Sequence, residues 1–158
     1  MNDFKVLIGS PVFGKGCPEV VEPLLAAGCQ VIPNEVGRNY TEKELLQVLP
    51  GVSAIISGNE PLNASALAVA DRLQVIARHG VGYDNVDVAA AAQLGIPVCI
   101  AAGTNHVAVA ELALGLMLAL VRHVPRYHAD LRAGQWTRYL GSELQGKVLG
   151  LVGLGRIG

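Results

Sequence analysis

The sequence predicts an α/β protein with a parallel sheet, and three observations carry this prediction. Short apolar segments alternate with helical segments as far as about residue 100. Hydrophobic residues make up 51% and charged residues 16% of the chain, as in sheets whose strands are covered on both faces. Near its end, an apolar segment leads into a G-x-G-x-x-G fingerprint. Together they predict a flavodoxin-like parallel-sheet domain, followed by the start of a Rossmann dinucleotide-binding domain.

The first domain is predicted to contain five strands with helices between them. The strands are the apolar segments Lys5–Gly9, Gln30–Pro33, Ala54–Ser57, Leu73–Ala77 and Pro97–Ile100. The helices are Pro18–Ala27, Thr41–Leu49, Asn63–Ala70 and Asp87–Leu94. Thr41 and Glu44 have the spacing of a capping box, and Gly28 and Gly95 stand where a glycine ends a helix. We expect this domain to span residues 1–102.

Residues 103–158 are predicted to begin a second, incomplete domain. They contain an apolar helix at 107–124 that Pro125 ends, a polar arm from Arg126 to Gln145, and a strand at Val148–Val152. The most apolar part of the helix is shorter than the ~20 residues of a membrane span, so we expect a helix buried within protein. His123 and His128, near the end of this helix, are expected to be solvated surface residues.

Composition narrows the partners and the compartment. A net charge of −1 and 4% aromatic residues argue against nucleic acid and against an anionic membrane surface. Cys17, Cys29 and Cys99 are odd in number and widely spaced, which favours reduced thiols in a cytoplasmic protein. No basic segment precedes an apolar one at the N-terminus, so no signal peptide is expected. No metal site is predicted.

The fingerprint Gly153-x-Gly155-x-x-Gly158 indicates a dinucleotide site. In such a site the first glycine forms a tight turn, the second lets the backbone approach the pyrophosphate, and the third lets a helix pack on the strand. The acidic residue that reads the ribose lies roughly 20 positions further on, so NAD and NADP are not distinguished. We expect the chain to be the front part of a larger nucleotide-dependent enzyme.

The loop after the fourth strand is the strongest candidate for a substrate site, because ligands of open α/β sheets bind at the carboxyl ends of strands. It reads Arg78-His79-Gly80-Val81-Gly82-Tyr83-Asp84-Asn85. Glycines on both sides of Val81 leave its backbone open, and successive N–H groups can bind a carboxylate. The alternative is a tight connector in which Asp84 and Asn85 only cap the next helix. Spacing alone favours the connector.

Four ordered segments resemble the D-isomer-specific 2-hydroxyacid dehydrogenase family, and its phosphoglycerate dehydrogenase-like members most. They are ARHGVGYDNVD, GIPV, GTNHVAVAE and GKVLGLVGLGRIG, and the similarity runs from about residue 54 onward. The resemblance implies a two-domain, NAD-dependent enzyme with a cleft between its domains. Residues 1–102 would bind the substrate, and residues 103–158 would begin the NAD-binding domain. The reaction would be hydride transfer between C2 of a D-2-hydroxy acid and nicotinamide.

The resemblance also implies roles for individual residues. Val81 and Gly82 would hold the substrate carboxylate through their backbone N–H groups, with Val81 also beside the nicotinamide. Asn105 would border substrate and cofactor. The cofactor-binding residues would be Val81, Gly153, Gly155, Arg156, Ile157 and Gly158, with Arg156 and Ile157 beside the pyrophosphate. Glu111 is expected to be a structural glutamate paired with backbone or an arginine, rather than a catalytic acid.

Some positions stay open. Ala101-Ala102 departs from the Asn-x-Pro more usual in the family, and His106 replaces a smaller residue. Whether His79 contacts substrate, or His106 the cofactor, is undecided. The 2-hydroxy acid is also undecided, because the loop Ser57–Glu60 contains no Arg or Lys. Recognition of a phosphate would have to come from Arg78 or from residues outside this chain.

The catalytic Arg, Glu and His of the family all follow the fingerprint, so no catalytic residue is expected in this chain. The 158-residue chain on its own is therefore predicted to be inactive. The resemblance implies a homodimer through the helix 107–124 and the arm near Trp136. An intramolecular cover for the second domain is an equal alternative for that helix. The alternative function is a non-catalytic, NAD-sensing or dimerising interaction module.

Overall fold

The computed structural model describes residues 3–158, which divide into two compact units between Ala102 and Gly103. The first unit contains a five-stranded sheet in the order β2-β1-β3-β4-β5, with all neighbouring strands parallel. The strands are β1 (Lys5–Ile8), β2 (Gln30–Ile32), β3 (Ala54–Ser57), β4 (Val75–Arg78) and β5 (Val98–Ile100). The predicted α/β class with a flavodoxin-like parallel sheet is confirmed.

Side chains from the two faces of the sheet enter two separate hydrophobic clusters. Leu7, Ile55 and Ile76 alternate along their strands with residues of the opposite face and join the larger cluster. Val6, Ile8 and Ala54 enter the smaller cluster on the other face. Because both faces are covered, the strands have the continuous apolar character seen in the sequence.

Helices of the first unit begin and end close to their sequence signals. They are α1 (Glu22–Ala26), which follows a 3₁₀ turn at Pro18–Val21, α2 (Glu42–Val48), α3 (Ala64–Ala68) and α4 (Val88–Gln93). The capping box before α2 is confirmed, since the Thr41 hydroxyl accepts from the Glu44 N–H and the Glu44 carboxylate accepts from the Thr41 N–H. Gly28 and Gly95 follow α1 and α4 with φ of 76° and 69°.

The second unit contains two helices where one was predicted. Helix α5 spans His106–Val121 and helix α6 spans Val124–Arg132, so part of the expected polar arm is helical. His123 separates them with a left-handed φ of 55°. Pro125 lies in the first turn of α6, where its missing N–H costs nothing, rather than at the end of α5. The predicted single helix at 107–124 is therefore wrong at its C-terminal end.

The expectation that the apolar helix is buried is also wrong for this chain. Helix α5 contains no buried residue, and Leu112, Leu116 and Leu120 are 61%, 60% and 75% exposed. Glu111 is exposed as well, so its carboxylate does not require the expected partner. Within residues 3–158, no single helix is long and apolar enough to cross a bilayer. Helices α5 and α6 reach that length and composition only as a pair bent by 63°.

The predicted strand at Val148–Val152 does not form. A strand is stabilised by hydrogen bonds to a neighbouring strand, and within the described residues no strand pairs with this segment. Val148 and Val152 are fully exposed.

His123 is half-buried, whereas a solvated surface residue was expected. Its ring packs edge-on against the Tyr139 ring, and its Nε2 lies 3.2 Å from Leu140 O. His128 is exposed, as expected.

Candidate functional site

The loops after β3 and β4 are joined at the carboxyl edge of the sheet. Leu62 pairs with Val86 in a parallel bridge, and the Leu62 N–H donates to Asn85 O at 2.8 Å. The Asn85 side chain donates from Nδ2 to Glu60 O at 2.7 Å and to Gly58 O at 3.2 Å. Helix α4 is capped instead by Asp87, whose carboxylate accepts from the Ala90 N–H. Asn85 therefore ties two loops together, and the simple connector that caps α4 through Asp84 and Asn85 is not what forms.

Val81 and Gly82 lie at the exposed tip of the loop after β4. Within residues 3–158, neither of their backbone N–H groups donates to another protein group. Two adjacent, unpaired N–H groups can bind an anion such as a carboxylate. The substrate-binding and nicotinamide roles of these residues remain predictions, and the geometry is compatible with them.

A buried carboxylate lies in the loop after β3. Glu60 is completely buried, and both of its carboxylate oxygens accept from the Gly58 N–H, at 2.9 and 3.0 Å. Its side chain packs directly on Gly9 at the end of β1, where an added Cβ would lie 2.1 Å from Oε1. The absence of a side chain at Gly9 is what makes room for the carboxylate.

Burial raises the pKa of Glu60, while the Glu60 and Gly58 N–H groups and the Arg78 charge oppose that shift. A carboxyl whose pKa is higher in the folded protein than in the unfolded chain binds more protons when folded. Its contribution to stability is complete below the unfolded pKa, near 4.5, and is lost as the pH rises through the folded pKa.

We expect Glu60→Gln to remove this alkaline loss of stability. The urea midpoints of wild type and variant, measured from pH 4.5 upward, should diverge, with the wild type falling relative to the variant. Glu35→Gln, at an exposed carboxylate in the β2–α2 loop, is the control and should follow the wild type. Parallel pH curves for wild type and Glu60→Gln would contradict the prediction.

Arg78, the last residue of β4, donates three hydrogen bonds to acceptors within the protein. It is 8% exposed. Its Nε donates to Gly82 O at 2.7 Å, Nη1 donates to Ser57 O at 3.0 Å, and Nη2 donates to Asn59 Oδ1 at 3.3 Å. The guanidinium therefore links the substrate loop to the end of β3.

His79 joins the loop to the segment after β1. Its Nδ1 lies 2.9 Å from the buried Ser10 hydroxyl, and the Phe13 ring packs edge-on against the imidazole at 5.4 Å between centroids. The His79 N–H also donates to Ser57 O at 2.8 Å. These contacts describe a structural link, and a substrate contact of His79 stays untested.

Sequence reasoning placed Glu60 in a candidate loop and Gly9 at the end of the first strand, but it did not predict their contact. A glutamate before a proline in a loop usually indicates an exposed residue. The pairing of β1 with β3 brings them together, and the chain carries no local signal of that contact.

In the second unit, Asn105 is exposed at the N-cap position of α5, and its side chain makes no capping hydrogen bond. His106 Nδ1 lies 2.9 Å from Gly103 O, so a protonated Nδ1 donates to that carbonyl. The Arg156 guanidinium packs on Gly103, where an added Cβ would lie 2.7 Å from Nη1. Asn105 and Arg156 thus belong to one unit, on segments joined through Gly103.

The fingerprint forms a tight turn with an open face. Gly153 has a φ of 94°, and an added Cβ at Gly158 would lie 2.8 Å from Gly153 O. At Gly155 an added Cβ would meet nothing within 4 Å, and Ile157 is exposed. These residues fit a dinucleotide pyrophosphate, which requires close approach to backbone. Within residues 3–158, no group of three or more His, Cys, Asp or Glu is placed to hold a metal ion.

Comparisons with known proteins match this chain to one family. The family described as D-isomer specific 2-hydroxyacid dehydrogenase, catalytic domain, matches residues 6–150. D-3-phosphoglycerate dehydrogenase of Archaeoglobus fulgidus is 36% identical over 157 residues, which are 98% of this chain and 28% of that protein. Hydroxypyruvate reductase of Thermotoga maritima is 39% identical over 147 residues, covering 88% of this chain and 48% of that protein.

A solved structure extends the similarity to the fold. The NAD-dependent formate dehydrogenase of Staphylococcus aureus, solved in complex with NAD, superposes with a TM-score of 0.70 at 25% identity. The match covers 85% of this chain and 43% of that chain. The chain thus spans less than half the length of each of these proteins.

Proposed function

This chain belongs to the D-isomer specific 2-hydroxyacid dehydrogenase family, and on that premise we propose that its protein transfers hydride between C2 of a D-2-hydroxy acid and a nicotinamide cofactor. The observation that carries the proposal is the pair of adjacent, exposed N–H groups at Val81 and Gly82 on a loop braced by Arg78. Every 2-hydroxy acid and 2-keto acid carries a carboxylate that such a pair can bind.

NAD is the proposed cofactor, and no residue of this chain excludes NADP. The turn of Gly153 and Gly158, the open face at Gly155, and the NAD-bound structure of a protein with this fold support it. Arg156 and Ile157 would lie beside the pyrophosphate, Val81 beside the nicotinamide, and Asn105 at the border of substrate and cofactor. When bound, NAD supplies the acceptor or donor of the hydride.

The remaining parts of the proposal concern assembly. This chain contributes binding groups, and the catalytic Arg, Glu and His would come from residues after the fingerprint. The exposed leucines of α5 and the 81% exposed Trp136 support a homodimer interface on these segments, since uncovered apolar surface of this kind marks contact with other protein. Because the catalytic Arg, Glu and His would come from later residues, we expect the 158-residue chain alone not to turn over substrate.

The test compares two glycine variants of the complete protein that carries this chain. Gly155→Ala should weaken NADH binding at least tenfold, because the methyl occupies the open face where the backbone approaches the pyrophosphate. Gly150→Ala is the matched control, since an added Cβ there also meets nothing within 4 Å and lies outside the fingerprint. NADH binding is measured by fluorescence, and NADH oxidation is followed with glyoxylate, pyruvate, hydroxypyruvate and 3-phosphohydroxypyruvate.

Oxidation of NADH by the complete protein with at least one of these acids supports the proposal. NADH binding without turnover of any of them would favour the non-catalytic, NAD-sensing alternative. Turnover by the 158-residue chain on its own would show that the assignment of the catalytic groups to later residues is wrong.

A further inference from the structure

Arg78 lies where the loop containing Val81 and Gly82 leaves the sheet. Its role bears on whether the first unit favours a phosphorylated acid as substrate. A guanidinium there can serve one of two purposes. It can bind a phosphate or other anionic group of the substrate, for which its planar set of donors is suited. Alternatively, it can hold the loop that presents the Val81 and Gly82 N–H groups.

The hydrogen bonds of Arg78 favour the second purpose. Each of its three nitrogens donates to a protein acceptor: Gly82 O at 2.7 Å, Ser57 O at 3.0 Å and, more weakly, Asn59 Oδ1 at 3.3 Å. Only 8% of the residue is exposed. Three of the five guanidinium N–H donors are thus committed to protein acceptors, which leaves Arg78 fewer donors for a phosphate.

The contact with Gly82 O has a direct consequence for the loop. Two of the acceptors belong to β3 and the loop that follows it, so the guanidinium is anchored on the sheet. Its Nε donates to Gly82 O and so fixes the peptide group between Gly82 and Tyr83. Because Gly80 and Gly82 give the loop wide conformational freedom, such an anchor restricts the positions that the Val81 and Gly82 N–H groups can take.

The nearest carboxyl in the candidate site is that of Glu60. Burial raises the pKa of Glu60, and its electrostatic interaction with the Arg78 charge opposes that shift. In the loop after β3, between Ser57 and Glu60, the residues are neutral apart from Glu60 itself. Between Ser57 and Glu60, therefore, no Lys or Arg is available to a phosphate.

We propose that Arg78 is a positioning residue of the substrate site: it orients the Val81 and Gly82 N–H groups and does not bind the substrate, so it confers no preference for a phosphorylated acid. The expected effect on substrate preference rests on the proposed function. The expected effect on the loop rests on the hydrogen bonds of Arg78 alone.

Arg78→Lys and Arg78→Gln in the complete protein separate the two roles. Lysine keeps a positive charge that could serve a phosphate, but it cannot reach three separated acceptors at once. Both variants should lower kcat/KM at least tenfold for hydroxypyruvate and by the same factor for 3-phosphohydroxypyruvate. The ratio of the two kcat/KM values should stay within twofold of the wild-type ratio. Arg72→Gln removes an exposed arginine that pairs with Asp3 and should leave both values unchanged.

Hydrogen–deuterium exchange provides a readout that does not depend on turnover. The Val86 and Ala101 N–H groups, which donate to Tyr83 O and Gly80 O of this loop, should exchange at least tenfold faster in Arg78→Lys than in the wild type, and Arg72→Gln should not differ from the wild type. Unchanged exchange in a folded Arg78→Lys would overturn the inference.

The kinetic outcomes are equally distinct. A loss confined to 3-phosphohydroxypyruvate in Arg78→Gln, with rescue by Arg78→Lys, would overturn the inference and make Arg78 a phosphate ligand. Failure of the wild type to oxidise NADH with any acid would instead count against the proposed function, and loop exchange would still decide the role of Arg78.

Discussion

Replacing Gly9 with alanine is expected to lower the free energy of unfolding by about 3 kcal/mol. The added methyl would lie 2.1 Å from Glu60 Oε1 and 2.8 Å from Cδ, distances that no relaxed structure tolerates. Glu60 cannot move aside easily, because it is completely buried and its carboxylate holds the Gly58 N–H. The urea midpoint should therefore fall by about 1 M or more.

Two further variants identify the cause of this loss. Gly16→Ala is the control, because Gly16 has a φ of 80° and an added Cβ there meets nothing within 4 Å. It should cost only about 1 kcal/mol, from the left-handed backbone. Gly9→Ala combined with Glu60→Ala should be no less stable than Glu60→Ala alone, because the overlap is gone. Equal losses in Gly9→Ala and Gly16→Ala would show that the steric explanation is wrong.

Replacing Gly80 with alanine is expected to lower kcat/KM about 100-fold in the complete protein, on the proposed function. Gly80 has a φ of 153°, a backbone angle that residues with a side chain rarely adopt. An added Cβ would meet only Arg78 Nη2, at 3.8 Å. The substitution therefore fits in space and still forces the backbone of the substrate loop to change. Such a change displaces the Val81 and Gly82 N–H groups from the substrate carboxylate.

Gly95→Ala provides the matched comparison for Gly80→Ala. Gly95 also has a positive φ, 69°, and lies in the turn between α4 and β5. Both variants should lose stability through backbone strain, typically about 1–3 kcal/mol. Only Gly80→Ala should lose kcat/KM. Retention of wild-type kcat/KM by Gly80→Ala, measured well below its unfolding temperature, would contradict a role for the loop conformation in substrate binding.

The elements that sequence reasoning predicted correctly depend on local interactions. The capping box of Thr41 and Glu44 joins residues three apart, and the glycines after α1 and α4 act on the turn in which they stand. The five strands of the first unit are recognisable because parallel strands covered on both faces are apolar throughout. The loop containing Val81 and Gly82 was identified for the same reason, since it follows one of these strands directly.

The predictions that failed concern segments whose structure depends on what pairs with them, packs on them or adjoins them. The segment Val148–Val152 has the composition of a strand, yet a strand exists only when another strand pairs with it. Helix α5 has the composition of a buried helix, yet burial depends on what packs against it. Pro125 can end one helix or begin the next, and the left-handed residue at His123 decides between these two.

Local sequence signals were enough to predict the order of strands and helices in the first unit, the helix caps, the glycines of the fingerprint and the position of the candidate loop. The burial of Glu60 against Gly9, the hydrogen bonds from Arg78 to Gly82 and Ser57, and the link that Asn85 makes between two loops became visible in the folded chain alone. Caps and turns join residues a few positions apart, whereas these contacts join residues that meet after the sheet has formed.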